Sequence, residues 1–150
     1  MIVVLGANAE HLEKEIEDKK IHISLNKEWN EGMASSVRCG INTLTQIAPA
    51  TDAAIIMVCD QPFVTSDLLN ELIVTQRNTG KSIVTSQYEA AIGPPAFFHK
   101  TVFPELLELK GDAGARKIIE QRRSDIATVS FSKGIIDIDT EEDYKALQGN

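Results

Sequence analysis

Ala53-Ala54-Ile55-Ile56-Met57-Val58 runs apolar without a break and then stops at Cys59-Asp60-Gln61-Pro62. An unbroken apolar run of this length, bounded by a turn signal, predicts a strand over residues 53–58 buried on both faces. Pro62 lacks an amide donor and fixes φ, so the strand cannot continue through it. In an open α/β sheet, ligands bind beyond the carboxyl ends of the strands. Asp60 therefore falls where a hard divalent cation carrying a nucleotide's phosphates would be held through oxygen. The plainer alternative is an Asp that only caps the turn.

Working outward, strand and helix signals alternate. Ile2–Leu5 and Ile21–Leu25 read as strands, with a charged helix over His11–Lys19 between them. Trp29–Met33 is loop-like. Val37, Ile41, Leu44 and Ile47 recur at steps of three and four, which predicts a helix over Ser35–Ile47. Thr65 caps a helix reaching about Thr79, with Leu68, Leu69, Leu72 and Ile73 on one face. Ser82–Ser86, Ala96–Phe98, Ile126–Val129 and Ile135–Ile138 are strand-like, and Val102–Leu109 and Ala115–Arg122 are short helices. Thr140-Glu141-Glu142-Asp143 opens a last helix with a capping-box pattern. The alternation predicts an α/β fold with a mostly parallel, mixed sheet, organised as one domain over residues 1–150.

The bulk numbers narrow the function. The chain has 150 residues, 43% hydrophobic and 25% charged, with a net charge of −7. No basic stripe suits nucleic acid, whereas an acidic protein binds nucleotides when Mg²⁺ stands between its carboxylates and the phosphates. Cys39 and Cys59 read as buried, reduced thiols of a cytoplasmic protein. No segment has the apolar length of a membrane span, and the start lacks the basic region of a signal peptide.

Three further groups of residues carry candidate chemistry. Asp137 and Asp139 alternate with isoleucines, so on a strand both would share a face, and Asp139 would complete a metal site with Asp60; the alternative is a polar strand end. Asn30-Glu31-Gly32-Met33-Ala34-Ser35-Ser36-Val37-Arg38 runs from a loop into a helix start. Its hydroxyls and free amides suit a base, and Arg38 suits a phosphate; a Ser-capped helix with a solvated Arg is the alternative. In Gly111-Asp112-Ala113-Gly114-Ala115-Arg116 two glycines precede a helix whose first turn holds Arg116. A cation there opposes the helix dipole, as a group held for an anionic ligand would. His11, His22 and His99 share no metal-ligand spacing.

Taken in order, these groups, with Val3–Ala7, Asn26–Gly40 and Gly93-Pro94-Pro95-Ala96-Phe97-Phe98, resemble the molybdenum cofactor cytidylyltransferases. Close kin are the molybdopterin-guanine dinucleotide biosynthesis nucleotidyltransferases; all share a glycosyltransferase-A-like, Rossmann-like three-layer fold. The resemblance implies Mg²⁺-dependent transfer of CMP from CTP to the molybdopterin molybdenum cofactor, with release of pyrophosphate. GTP in place of CTP is the near alternative, and a non-catalytic nucleotide- or molybdopterin-binding protein is another. Carried over by position, Asp60 and Asp139 would hold the metal, with Asp137 beside them. Ser36 would face the base, with Gly32 and Ser35 next to it. Gly93 and Pro95, with Gly111, Asp112, Gly114 and Arg116, would line the pterin side. A molybdoenzyme or its maturation factor would receive the product.

Members of this group open with a strand followed by Leu-Ala-Ala-Gly-x-Ser-x-Arg-Met-Gly-x-x-Lys, whose amides, Arg and Lys grip the triphosphate. The sequence as given starts after such a segment, and Lys19, Lys20 and Lys81 are not spaced to replace it. The expectation is a truncated reading that lacks the first strand-loop-helix unit. A short paralogue that binds without catalysing, and a partner chain that supplies the missing part, stay open. A sheet lacking that strand would carry an exposed edge inviting a second copy to pair with it.

Overall fold

The computed structural model describes residues 1–16 and 21–148. Contacts gather into two compact units, Met1–Ala54 with His99–Gln121, and Ile55–Phe98 with Arg122–Asn150.

In the first unit, β1 (Ile2–Leu5) lies parallel to β2 (His22–Leu25), with Ile2 opposite His22 and Leu5 opposite Leu25. Parallel neighbours need a crossover, and α1 (Ala9–Ile16) supplies it. The sequence extends this helix to Lys19; residues 17–20, Lys19 and Lys20 among them, lie outside the described residues. Helix α2 (Met33–Ile47) packs its Ala34, Val37 and Ile41 stripe toward β1 and β2. Gly40 belongs to that contact, because a Cβ there would stand 3.3 Å from Val4 Cγ2. The strand β3 (Ala53–Ile56) passes from the first unit to the second. A 3-10 turn at Lys100–Val102 leads into α4, the fourth helix in chain order (Phe103–Leu107), which packs on α2 with Val102, Phe103 and Leu106 buried. Helix α5 (Arg116–Gln121) buries Ile118 and Ile119.

In the second unit, Thr65 caps α3 (Ser66–Thr79) as its position predicts, its hydroxyl accepting from Leu68 N at 3.2 Å. Leu68 and Leu72 turn inward toward β4 (Ile83–Tyr88) and β6 (Ile126–Ser130). A four-stranded sheet runs in the order β3-β5-β4-β6, with β5 (Ala91–His99) antiparallel to β4 and β6 parallel to it. Ile83, Val84, Thr85 and Ser86 are all buried, as befits an inner strand. The mixed sheet expected from the sequence is therefore present, and β3 stands at its edge.

Several local expectations change. β3 ends at Ile56, its residues are only half-buried, and Asp60 falls in the turn beyond it. Cys59 is consequently exposed and Cys39 half-buried, so the two are not the buried pair expected. Gly93-Pro94-Pro95 lies inside β5, where the register shifts between Thr85 and Ser86. Prolines cannot donate to a ladder, so the irregularity sits opposite them. Residues 135–138 form no strand: a 3-10 turn covers Ser132–Ile135 and an irregular stretch follows. Ile135 and Ile136 are exposed, and Ile138 N makes one bond to Asp60 O rather than a ladder. Helix α6 (Glu141–Gln148) opens with the expected box, Thr140 N donating to Asp143 Oδ2 at 2.9 Å and Asp143 N to Thr140 Oγ1 at 3.2 Å. Among the described residues no helix is long and apolar enough to cross a membrane.

Candidate functional site

The start of α2 is built from the end of β2. Asn26 extends the ladder through its amide to Leu5 O at 2.8 Å, then turns the chain by accepting from Glu28 N at 3.0 Å on its own Oδ1. Its buried Nδ2 donates to Ser35 Oγ at 2.7 Å and to Ser36 Oγ at 3.1 Å. Ser35 donates in turn to Gly32 O at 2.8 Å and is 2% exposed, so its hydroxyl is used within the fold. Ser36 is half-buried and reaches the surface.

Gly32 joins this helix start to the loop at residues 111–114. Its φ of 114° and ψ of −172° are open essentially to glycine alone. A Cβ at Gly32 would overlap Asp112 Oδ1 and stand 2.7 Å from Gly111 O. Ala34 N donates to Gly111 O at 3.0 Å, and a Cβ on Gly114 would strike Met33 Sδ at 2.5 Å. The two segments assigned by resemblance to the base side and the pterin side thus form one element.

Arg38 does not stand free for a phosphate as expected. Its guanidinium forks onto Glu31, with Nη1 to Oε1 at 2.8 Å, and also donates to Glu28 at 3.2 Å and Leu109 O at 2.7 Å. Glu31 Oε1 further accepts from Gly111 N at 3.2 Å. The Arg38 hydrogen bonds, then that amide, draw the Glu31 carboxyl from 4.5 down to about 2. Hydrogen bonding to Glu31 raises the Arg38 pKa in return. Arg38 and Glu31 clasp the 109–111 segment onto α2. Arg116, also expected at a ligand, is exposed and pairs with Glu120 at 3.1 Å one turn on.

In the second unit, the bond from Ile138 N to Asp60 O, 2.9 Å, joins the Asp60 turn to the segment bearing Asp137 and Asp139. Asp137 and Asp139 are exposed, and Asp139 N donates to Asp143 at 3.2 Å. Among the described residues no three His, Cys, Asp or Glu side chains gather as a metal cage. Asp60 Oδ1, however, is buried and has no hydrogen-bond partner. A buried anionic oxygen left unpaired is costly, and a hard cation is the partner it suits. Gly93 and Pro95 are buried in the β5 irregularity. Thr85 Oγ1 donates to Gly93 O at 2.8 Å and Ser86 Oγ to Pro95 O at 2.7 Å, so side chains satisfy the carbonyls that the ladder leaves.

Asn26 and Glu31 are the residues to which sequence reasoning gave no role. Both lie inside the Asn26–Gly40 stretch it singled out, and an Asn directly after a strand was the available signal.

These elements belong to a known class: the profile of the MobA-like NTP transferase domain matches residues 1–126, and the chain is a member of that family. The purine catabolism protein PucB of Bacillus subtilis (strain 168) is 31% identical over 133 residues, which are 87% of this chain and 62% of PucB. This chain thus spans under two thirds of that relative's length. A homologue of Mycobacterium tuberculosis Rv0371c from Mycobacterium sp. strain JC1 superposes with a TM-score of 0.78 at 28% identity, over 99% of this chain and 73% of that one. Rv0371c of Mycobacterium tuberculosis H37Rv in complex with manganese gives 0.76 at 24% identity, over 99% and 77%. The mixed α/β fold of nucleotidyltransferases is therefore the fold of this protein.

Proposed function

We propose that the protein transfers the CMP group of CTP to the terminal phosphate of the molybdopterin molybdenum cofactor and releases pyrophosphate. Asp60 carries this reading: in a chain of the NTP transferase family it offers a buried carboxylate oxygen with no partner in the fold. Asp60 and Asp139 would hold Mg²⁺, with Asp137 alongside; the manganese complex of Rv0371c supports a divalent ion. Such an ion neutralises triphosphate charge and lets phosphoryl oxygens approach a carboxylate. Ser36 and Gly32 would meet the base. Gly111, Asp112 and Gly114, with Gly93, Pro95 and Arg116, would serve the cofactor side. Catalysis of this kind rests on positioning and on electrostatics. The product would pass to a molybdoenzyme or its maturation factor in the cytoplasm, and the name of the Bacillus relative supports a purine-handling recipient.

One observation favours a second reading, nucleotide or cofactor binding without transfer. Arg38, the cation within the nucleotide segment, is held by Glu31 and Glu28. A single assay separates the two. The protein is incubated with Mg²⁺, molybdopterin cofactor and α-labelled CTP, with GTP in parallel, and labelled dinucleotide and pyrophosphate are measured. Transfer from CTP that falls by about a hundredfold in Asp60→Ala supports the proposal. Tight CTP binding without product supports the second reading, and undiminished transfer by Asp60→Ala removes Asp60 from the site.

A further inference from the structure

Gln61, next to Asp60, is 8% exposed. Its Nε2 donates to Gly134 O at 3.0 Å. That carbonyl is fixed. Gly134 is buried, its amide donates to Phe131 O at 2.9 Å, and a Cβ there would strike Phe131 Cδ1 at 2.6 Å and Tyr88 Cδ1 at 2.7 Å. Turning the Gln61 amide over would set two carbonyl oxygens face to face, so its orientation is locked. The locked Oε1 is buried and has no hydrogen-bond partner.

Among the described residues, only Asp60 Oδ1 shares this condition among buried side-chain nitrogen and oxygen atoms. Two unpaired oxygens on consecutive residues of one turn form a pair of acceptors without a donor. Each is unfavourable for the fold until a partner meets it. One carboxylate and one amide carbonyl make a donor set that suits a hard divalent cation, which takes both oxygen types. Pro62 follows directly and contributes no amide that would compete for either oxygen.

We propose that Gln61 Oε1 is a further oxygen ligand of the cation that Asp60 binds, so that the DQP turn contributes two adjacent oxygens to the metal site. This rests on the reading of Asp60 given above. Gln61 is then selected as an amide: its nitrogen anchors it to Gly134 and its oxygen faces the ion. An aliphatic residue would supply neither.

The test is Mn²⁺ titration of the full chain, following the free-ion signal by electron paramagnetic resonance, with melting temperature measured with and without Mn²⁺. The variants are Asp60→Ala, Gln61→Met and Gln61→Glu. Gln61→Met removes the oxygen at nearly constant volume, whereas Gln61→Glu keeps an oxygen but loses the donor to Gly134. The expected result is loss of binding in Asp60→Ala, about tenfold weaker binding in Gln61→Met, and binding no weaker than wild type in Gln61→Glu. Wild-type affinity in Gln61→Met, with Asp60→Ala impaired, overturns this inference and leaves the Asp60 reading standing. Equal weakening in Gln61→Met and Gln61→Glu overturns it too, because the loss then follows the Gly134 bond. Wild-type affinity in Asp60→Ala overturns both. Should Gln61→Met fail to fold, Gln61→Glu decides alone: weaker Mn²⁺ binding overturns the inference, and undiminished binding sustains it.

Discussion

Replacing Gly32 by alanine asks whether the helix start and the 111–114 loop are one element. The new Cβ meets two obstacles. At φ 114° and ψ −172° an L side chain is strained by about 1–3 kcal/mol. The Cβ also lies 2.7 Å from Gly111 O and 2.8 Å from Gly111 C, backbone atoms that cannot swing aside. Overpacking of this kind adds about 1–3 kcal/mol. Reduced freedom of the unfolded chain returns about 0.5–1 kcal/mol, leaving a net loss near 3 kcal/mol. For a chain of this size that lowers the melting point by about 10 °C. Gly80 is the internal control: its φ is 66°, yet nothing lies within 4 Å of a Cβ there. Gly80→Ala should cost only the left-handed penalty, about 1 kcal/mol. Urea denaturation of both variants measures the difference. If Gly32→Ala is no more destabilising than Gly80→Ala, the close approach of the loop to α2 is not real.

The Glu31 carboxyl falls from 4.5 to about 2 on folding, so its stabilising effect is complete above about pH 4.5 and is lost as pH falls through 2. The urea midpoint of wild type should exceed that of Glu31→Gln at pH 6, with the gap closing toward pH 2; a gap constant across that range contradicts the clasp. Asn26→Ala removes two donors and one acceptor from a buried junction and should cost about 2–3 kcal/mol by the same denaturation assay, with Ser36→Ala alone costing under half as much.

What the sequence disclosed was local. The Thr65 cap and the Thr140–Asp143 box depend on residues three or four apart, and each appears as read, whereas the α2 stripe holds only at Val37 and Ile41, with Leu44 half-buried and Ile47 exposed. What it concealed depended on partners remote in the chain. Asp137 and Asp139 alternate with isoleucines as a strand would, but a strand needs a neighbour to complete its ladder, and Ile138 finds only the Asp60 carbonyl. Arg38 looked like a free cation because Glu31 approaches it around a 3-10 turn, outside the spacing of helical pairs. The contact between Gly32 and Gly111 joins segments with most of the chain between them, and neither glycine announces the other. The proline after Asp60 marks where the apolar run ends, but the strand stops sooner, at Ile56, and leaves Asp60 in the turn beyond it.

The Asn26 amide also fixes the character of the hydroxyl it touches. One lone pair of Ser36 Oγ is already occupied by Asn26 Nδ2, which directs the Ser36 proton away from the core. Any molecule arriving there meets a rotor that was oriented while the protein folded. If Ser36 meets the base as proposed, a carbonyl or a ring nitrogen would find a proton waiting, while an amino group would share the oxygen with Asn26. Ordering that hydroxyl is then settled before association rather than during it, which trims the entropy a ligand must lose on binding.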